Sequence, residues 1–187
     1  MISAIMPVLN GEKYIKEAIE SFLTQDTDSE LIIVDGCSTD NTGEIIKSFK
    51  SKKIRYYDTD LVGTFEKINY GLERMKDNIF FTMACDCRLL PDAFKEVEKE
   101  IKGYEAIFGN IRFLNESGES IGESEYPIFN LREYREQNFL ASCMIFAKYK
   151  KGMKFNLNYP YNADYDFYLR LAHKTKFKQI SNYLMNL

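Results

Sequence analysis

Two carboxylates stand where a parallel α/β sheet would present them for chemistry. Asp35 ends the apolar run Leu31–Val34, and Asp86 follows the apolar run Ile79–Met83. Near-continuous apolar runs are typical of parallel strands buried on both faces. The carboxyl ends of such strands share one edge, where ligands of open α/β sheets bind. An acid there can accept hydrogen bonds from a base or a ribose, or hold a divalent cation that bridges phosphates.

A third carboxylate, Asp164, opens the last helical segment, which extends to Lys174. Its spacing alone allows two interpretations. It is either a first-turn acid favoured by the helix dipole, or a general base beside a sugar cleft. Asp166 precedes Arg170 by four residues, which indicates a surface ion pair. Asp40 lies in a Ser-Thr-Asp-Asn run typical of a helix cap.

Phosphate-binding glycine loops are absent from the sequence, because neither G-x-G-x-x-G nor the Walker pattern occurs. This argues against a dehydrogenase or an NTPase and favours phosphates held by a cation or by basic side chains. The chain has one histidine and four cysteines, with no C-x-x-C pair, so we expect no structural zinc site. The cysteines are Cys37, Cys85, Cys87 and Cys143.

Alternating apolar strands and amphipathic helical patterns in the first half predict β-α-β units with parallel strands and right-handed crossovers. Asn10 is the expected N-cap of the first helix, and Pro91 the expected first residue of the fourth. The predicted strands are Ile2–Met6, Leu31–Val34, Ile54–Tyr57 and Ile79–Met83.

The second half, after Gly103, has a mixed pattern. A strand, a turn at residues 115–118 and a returning chain predict a hairpin. We expect the final helix to close the chain. The expected elements are a strand at Ala106–Leu114, a polar surface loop at Ser120–Tyr126, a short helix at Leu131–Gln137, a strand at Ala141–Ala147 and the helix Asp164–Lys174.

The composition is that of a globular domain, with 45% apolar residues in 187. A formal net charge of -3 gives no support for a nucleic-acid partner. The sequence shows neither a signal peptide nor an apolar run long enough to span a bilayer. We therefore expect a cytoplasmic protein with free thiols.

Six segments together resemble the family-2 inverting glycosyltransferases, and the resemblance covers almost the whole chain. The first two are the most specific, because both signatures occur in the family's order and spacing. The segments are Met6-Pro-Val-Leu-Asn-Gly-Glu-Lys-Tyr-Ile15, Glu30-Leu-Ile-Ile-Val-Asp-Gly-Cys-Ser-Thr-Asp-Asn-Thr42, Gly63 with Asn69 and Gly71, Met83-Ala-Cys-Asp-Cys-Arg-Leu-Leu-Pro91, Gly109-Asn-Ile at the start of a hairpin, and Ala163-Asp-Tyr-Asp-Phe-Tyr-Leu-Arg-Leu171.

The resemblance implies a GT-A fold, an α/β architecture with a Rossmann-like, mostly parallel central sheet, flanking helices and a mixed α+β acceptor half. It implies one domain, with residues 1–103 binding the donor and residues 104–187 the acceptor. The implied donor is a nucleotide-diphosphate sugar, UDP first, with Mg²⁺ or Mn²⁺ as cofactor. By carry-over, Asp164 is the general base, Asp86 serves the metal and diphosphate region, and the remaining nucleotide contacts are Pro7, Val8, Asn10, Glu12, Asp35, Gly63 and Asn69.

The sequence departs from the family's pattern in three ways. Ala84 and Cys87 replace acids that commonly flank Asp86, which lowers the expected metal affinity because hard cations require several oxygen ligands. Ser142-Cys143 occupies a place where many relatives carry His-Gln, and Glu66 stands where Asp is common.

The sequence therefore predicts an inverting glycosyltransferase that builds a bacterial-type surface glycan on a glycan or lipid-linked acceptor. We expect it in the cytoplasm, with a peripheral association at the inner face of the membrane. The alternative is a catalytically degenerate nucleotide-sugar binding module. The replacement of acids by Ala84 and Cys87 beside Asp86 favours this alternative. A nucleotidyltransferase is disfavoured, because no glycine- and arginine-rich phosphate loop is present near the N-terminus.

Overall fold

A computed structural model describes residues 1–138 and 145–187, which form a mixed sheet of nine strands with six helices. The strands are β1 (Ile2–Val8), β2 (Ser29–Gly36), β3 (Ile54–Thr59), β4 (Ile79–Thr82), β5 (Arg88–Leu89), β6 (Ala106–Leu114), β7 (Ser120–Ser124), β8 (Ile145–Lys148) and β9 (Phe177–Asn186). The helices are α1 (Ile15–Leu23), α2 (Thr42–Ser48), α3 (Thr64–Leu72), α4 (Ala93–Glu100), α5 (Leu131–Glu136) and α6 (Ala163–Ala172).

The first half is the parallel α/β unit that the apolar runs predict. Strand β1 pairs in parallel with β2 and with β4, and β2 pairs in parallel with β3. Every residue of β2 is buried, and helix α3 packs on it and on β1. This explains why both faces of the strand are apolar from Leu31 to Val34.

The second half continues the same sheet in mixed directions, in the order β3-β2-β1-β4-β8-β6-β9-β5. Strand β8 runs antiparallel to both β4 and β6, so β6 and its parallel neighbour β9 point the same way as β4. The carboxyl ends of β1, β2, β4, β6 and β9 therefore share one edge. Strand β7 pairs with β6 in the predicted hairpin.

Two predictions for the second half are wrong. The expected surface loop at 120–126 contains β7, whose residues are mostly exposed, so no buried face marks it as a strand. The chain also does not close with the last helix, because β9 follows it. Few side chains of β9 are buried, and Lys, Gln, Ser and Asn lie between them, which hides its alternation.

Two predicted helix starts are also wrong. Helix α1 begins at Ile15, and Asn10 lies upstream in a left-handed conformation with φ of 54°. Helix α4 begins at Ala93, because Pro91 sits inside a turn closed by the hydrogen bond from the backbone N–H of Ala93 to the oxygen of Leu90 at 3.2 Å.

Other predictions concern the chain after residue 130. The expected ion pair between Asp166 and Arg170 is present at 2.9 Å. The predicted strand at 141–147 falls partly on residues 139–144, outside the described part, and β8 covers Ile145–Lys148. None of the helices in the described residues is long and apolar enough to cross a bilayer.

Candidate active site

The β1–α1 and β2–α2 loops are tied together at the carboxyl edge of the sheet. The side-chain oxygen of Asn10 accepts a hydrogen bond from the backbone N–H of Thr39 at 2.8 Å. The Glu12 carboxylate accepts from both the backbone and the side-chain nitrogen of Asn41, each at 2.9 Å. Two predicted nucleotide contacts, Asn10 and Glu12, thus join two loops that the sequence places 29 residues apart.

Asp40 strengthens the same junction. One of its oxygens accepts from the backbone N–H of Thr42 at 3.0 Å, and the other accepts from the backbone N–H of Glu12 at 3.1 Å. The N-cap of α2 is the next residue, Asn41, whose side chain makes no capping hydrogen bond. Burial acts to raise the pKa of Asp40, but these hydrogen bonds outweigh it and lower the pKa. Asp40 is therefore a structural link between the loops.

Asp35 lies at the end of β2 and is 2% exposed. One carboxylate oxygen accepts from the backbone N–H of Ser38 at 3.0 Å and from its hydroxyl at 2.6 Å, and the other accepts from the Tyr56 hydroxyl at 3.1 Å. Burial and the nearby Asp35 charge raise the pKa of Tyr56. Since a carboxylate can accept about four hydrogen bonds, one acceptor position is left. A contact between Asp35 and a nucleoside base stays a prediction.

Lys67 is a functional candidate that the sequence analysis missed. It is 3% exposed on α3, and its ammonium donates to the backbone oxygen of Val8 at 3.0 Å. Burial lowers its pKa, while the charge of Asp35 favours its protonated form. The available signal was its spacing of four residues from Gly71, since both lie on the α3 face that packs on β1.

Pro7 and Val8 close β1 directly beside the end of β2. Pro7 pairs in register with Val34, and Val8 pairs with Asp35. Pro7 is partly exposed, whereas Val8 is buried and its backbone oxygen accepts from Lys67.

Gly63 and Asn69 lie on the other side of the site, around α3. The backbone N–H of Gly63 donates to the Glu66 carboxylate at 3.0 Å, so Glu66 caps the helix. Gly63 also lines a cavity of about 310 Å³ with Leu157 and Pro160. The Asn69 side chain bonds to the backbone of Phe155 and holds that segment against α3.

Asp86 is exposed on the turn between β4 and β5. The preceding Cys85 packs against Gly11, where an added Cβ would lie 3.3 Å from its sulfur, so this turn adjoins the β1–α1 loop. Asp86 lines a cavity of about 290 Å³ together with Lys13 and Arg88.

The structure offers few ligands besides Asp86 for the predicted metal ion. Within residues 1–138 and 145–187, no three His, Cys, Asp or Glu side chains are grouped to hold a metal ion. Mg²⁺ is nevertheless commonly bound through one or two carboxylates plus substrate phosphates. Asp86 therefore fits a cation only where a bound diphosphate and water supply the other ligands.

Asp164 lies in the first turn of α6 and is partly buried. One carboxylate oxygen accepts from the backbone N–H of Tyr165 at 2.8 Å. Burial raises the pKa of Asp164, which suits a general base better than an unperturbed aspartate. The Tyr165 hydroxyl donates to the backbone oxygen of Tyr134 at 3.0 Å and fixes the helix start against α5. Ser142 and Cys143 lie outside the described residues.

Comparison with curated proteins gives a match over most of the chain. The family model of glycosyl transferase family 2 matches residues 3–158. An uncharacterized glycosyltransferase of Rickettsia felis is 29% identical over 188 residues, which cover 91% of this chain and 31% of that protein. The chain thus spans about a third of the length of this relative.

Solved structures share the fold. S. aureus TarS 1–349 in complex with UDP-GlcNAc superposes with a TM-score of 0.79 at 20% identity, covering 100% of this chain and 58% of that one. The mannosyltransferase PcManGT from Pyrobaculum calidifontis, in complex with GDP-Man and Mn²⁺, superposes with a TM-score of 0.73 at 13% identity, covering 100% and 56%. The architecture and the family match agree, and the protein belongs to glycosyl transferase family 2, with a GT-A fold.

Proposed function

We propose that the protein transfers a sugar from a nucleotide-diphosphate donor to a hydroxyl of a glycan or lipid-linked acceptor. The transfer inverts the anomeric configuration, and a UDP-sugar is the first donor to test. The observation that carries the proposal is the carboxyl edge of the sheet, where Asp35, Lys67 and the tied β1–α1 loop converge. A strand-end acid and a buried ammonium, held by a rigid network, suit recognition of a nucleotide. The UDP-GlcNAc complex of TarS supports UDP as the first donor to test.

The proposed reaction is a single displacement. The Asp164 carboxylate takes the proton from the acceptor hydroxyl, and the hydroxyl oxygen attacks the anomeric carbon from the face opposite the diphosphate. As that bond forms, the bond from the anomeric carbon to the diphosphate oxygen breaks, so the configuration inverts. A Mg²⁺ or Mn²⁺ ion held by Asp86 and the diphosphate would neutralise charge on the leaving group.

We further propose that residues 1–103 bind the donor and residues 104–187 the acceptor within one domain. The hydrophobic core supports this, because it is one cluster that extends from Ile2 to Met185. The proposed location is the cytoplasm, at the inner face of the membrane.

The second candidate is a nucleotide-sugar binding module without turnover. Ala84 and Cys87 favour it, because they leave Asp86 as the one acid of its motif. The partly buried Asp164 disfavours it, since a binding module has no need for a carboxylate with a raised pKa.

Thermal shift with UDP-, GDP- and dTDP-sugars tests the proposal. A ligand of the native state at about a hundred times its Kd stabilises by about 2.7 kcal/mol, so the cognate donor is expected to raise Tm. No stabilisation by any of them would contradict both candidates. Sugar release or transfer from the stabilising donor then separates the enzyme from the binding module.

A further inference from the structure

Charge is distributed very unevenly along the chain. Residues 145–187 contain eight lysines and arginines against two aspartates, a net charge of +6. The remaining 144 residues contain 17 basic and 26 acidic side chains, a net charge of -9. Such asymmetry in a chain with an overall charge of -3 indicates a surface that interacts with an anionic partner.

The basic side chains gather at the end of the sheet opposite Asp35 and Asp86. Strand β8 ends there and β9 begins there, joined by backbone hydrogen bonds from Lys148 to Glu105 at 2.8 Å and from Glu105 to Lys176 at 3.1 Å. The last turn of α6 reaches the same end, because Arg170 and Lys174 line one cavity with Lys150, which follows β8. We call this surface the basic face, made of Lys150, Lys151, Arg170, Lys174 and Lys176.

A cavity opens within the basic face. Its volume is about 550 Å³, and Met153 and Leu171 form its apolar part. The rest of its described lining is Lys150, Arg170, His173, Lys174 and Thr175. The combination of apolar and cationic side chains around one cavity matches an amphiphile with a negatively charged head.

Three lysines of the basic face are free to meet an external anion. Lys150 pairs with Glu105 at 3.3 Å, and Arg170 pairs with Asp166 at 2.9 Å. Across residues 1–138 and 145–187, no carboxylate forms an ion pair with Lys151, Lys174 or Lys176, and all three are exposed.

We propose that the basic face docks on the surface of an anionic phospholipid bilayer. The free lysines meet the phosphate headgroups, and the cavity with Met153 and Leu171 faces the boundary with the acyl chains. A bilayer fits better than a nucleic acid, because the described cavity lining includes no Phe, Tyr or Trp on which bases could stack. The inference rests on the proposed membrane location and names its surface, and its test needs no nucleotide sugar.

Co-sedimentation with vesicles tests the proposal. The protein is expected to bind vesicles of phosphatidylglycerol and phosphatidylcholine, to bind phosphatidylcholine vesicles weakly, and to lose binding as salt rises. Each lysine near such a surface contributes roughly a fivefold increase in partitioning. The combined variant Lys151→Gln, Lys174→Gln and Lys176→Gln is therefore expected to bind about a hundredfold more weakly.

Lys50→Gln with Lys52→Gln is the control, because these exposed lysines lie between α2 and β3, at the far end of the strand order. This pair is expected to retain vesicle binding. Equal binding to both vesicle types, or full binding by the triple variant, would overturn the proposal. Tighter binding to duplex DNA than to the anionic vesicles would overturn the choice of partner. UDP-sugar stabilisation, measured on the same samples, reports on the proposed function separately.

Discussion

The side-chain amide of Asn69 on α3 holds the backbone of Phe155 through two hydrogen bonds. Its nitrogen donates to the Phe155 oxygen at 2.9 Å, and its oxygen accepts from the Phe155 N–H at 2.8 Å. The Phe155 ring stacks on Phe167 of α6 with a centroid distance of 4.3 Å. Since Lys67, two residues earlier, holds Val8, helix α3 connects the donor loop to the helix that carries Asp164.

Asn69→Ala is expected to loosen this connection while leaving nucleotide binding in place. The variant leaves the N–H and the oxygen of Phe155 buried without their partner, which costs about 1–3 kcal/mol for each group. Urea denaturation is expected to show a loss of about 2–6 kcal/mol, and hydrogen exchange at Phe155 is expected to accelerate.

Asn158→Ala is the control for this prediction, because Asn158 is exposed in the same segment. It is expected to change stability by less than about 0.5 kcal/mol. If Asn69→Ala abolished UDP binding with the fold intact, Asn69 would be a nucleotide contact, as the sequence resemblance implies.

Asp164→Asn is expected to lower the transfer rate at least about a hundredfold while leaving the donor Kd unchanged, because only the proton acceptor is removed. The rate of the wild-type protein is expected to fall as pH drops through the raised pKa of Asp164. Single-turnover rates measured over a range of pH show this decrease. Normal turnover by the variant would exclude Asp164 as the base.

The same substitution is expected to stabilise the fold at neutral pH. Burial raises the folded-state pKa of Asp164 above its unfolded value, so the folded state binds the proton more tightly. Its stabilising contribution is complete below the unfolded pKa and is lost as pH rises through the folded pKa. The Tm difference between Asp164→Asn and wild type is therefore expected to grow from acidic to neutral pH, and a constant difference would refute this linkage.

Gly36→Ala is expected to disrupt the donor edge. A Cβ there would lie 2.8 Å from the Lys67 ammonium and would overlap the backbone oxygen of Leu61. Such overpacking costs about 1–3 kcal/mol, and displacement of Lys67 is expected to weaken UDP binding in calorimetry. Gly122→Ala is the matched control, because its Cβ would meet its nearest neighbour, Phe113, at 3.9 Å. Equal effects of the two substitutions would contradict the packing argument.

Asp86→Ala tests the metal prediction. If a cation joins Asp86 to the diphosphate, Mn²⁺ is expected to tighten UDP binding by the wild-type protein and to have little effect on the variant. Calorimetry with Mn²⁺ and with a chelator measures both. Glu17→Gln, a charge-neutralising change in the same cavity, is expected to keep the Mn²⁺ effect. Identical UDP affinity of the wild-type protein in Mn²⁺ and in chelator would remove the metal from this site.

The parallel β-α-β half and the place of Asp35 at its edge were predictable from the amino-acid sequence alone. Those features depend on local patterns, since an apolar run that ends in an acid is visible within a few residues. The family resemblance also came from short contiguous segments. The strands β7 and β9 were not predictable in this way, because their pairing with β6 decides their structure and few of their side chains are buried.

The surroundings of the polar groups depend on contacts between distant parts of the chain. Lys67 is buried because α3 packs on β1 and β2, and its partner Val8 lies 59 residues away. Asn69 meets Phe155 across 86 residues. Burial of Asp164 raises its pKa through contacts that its helical spacing does not reveal. Hydrogen bonding and desolvation depend on which atoms meet in space, and that information is spread over the whole chain.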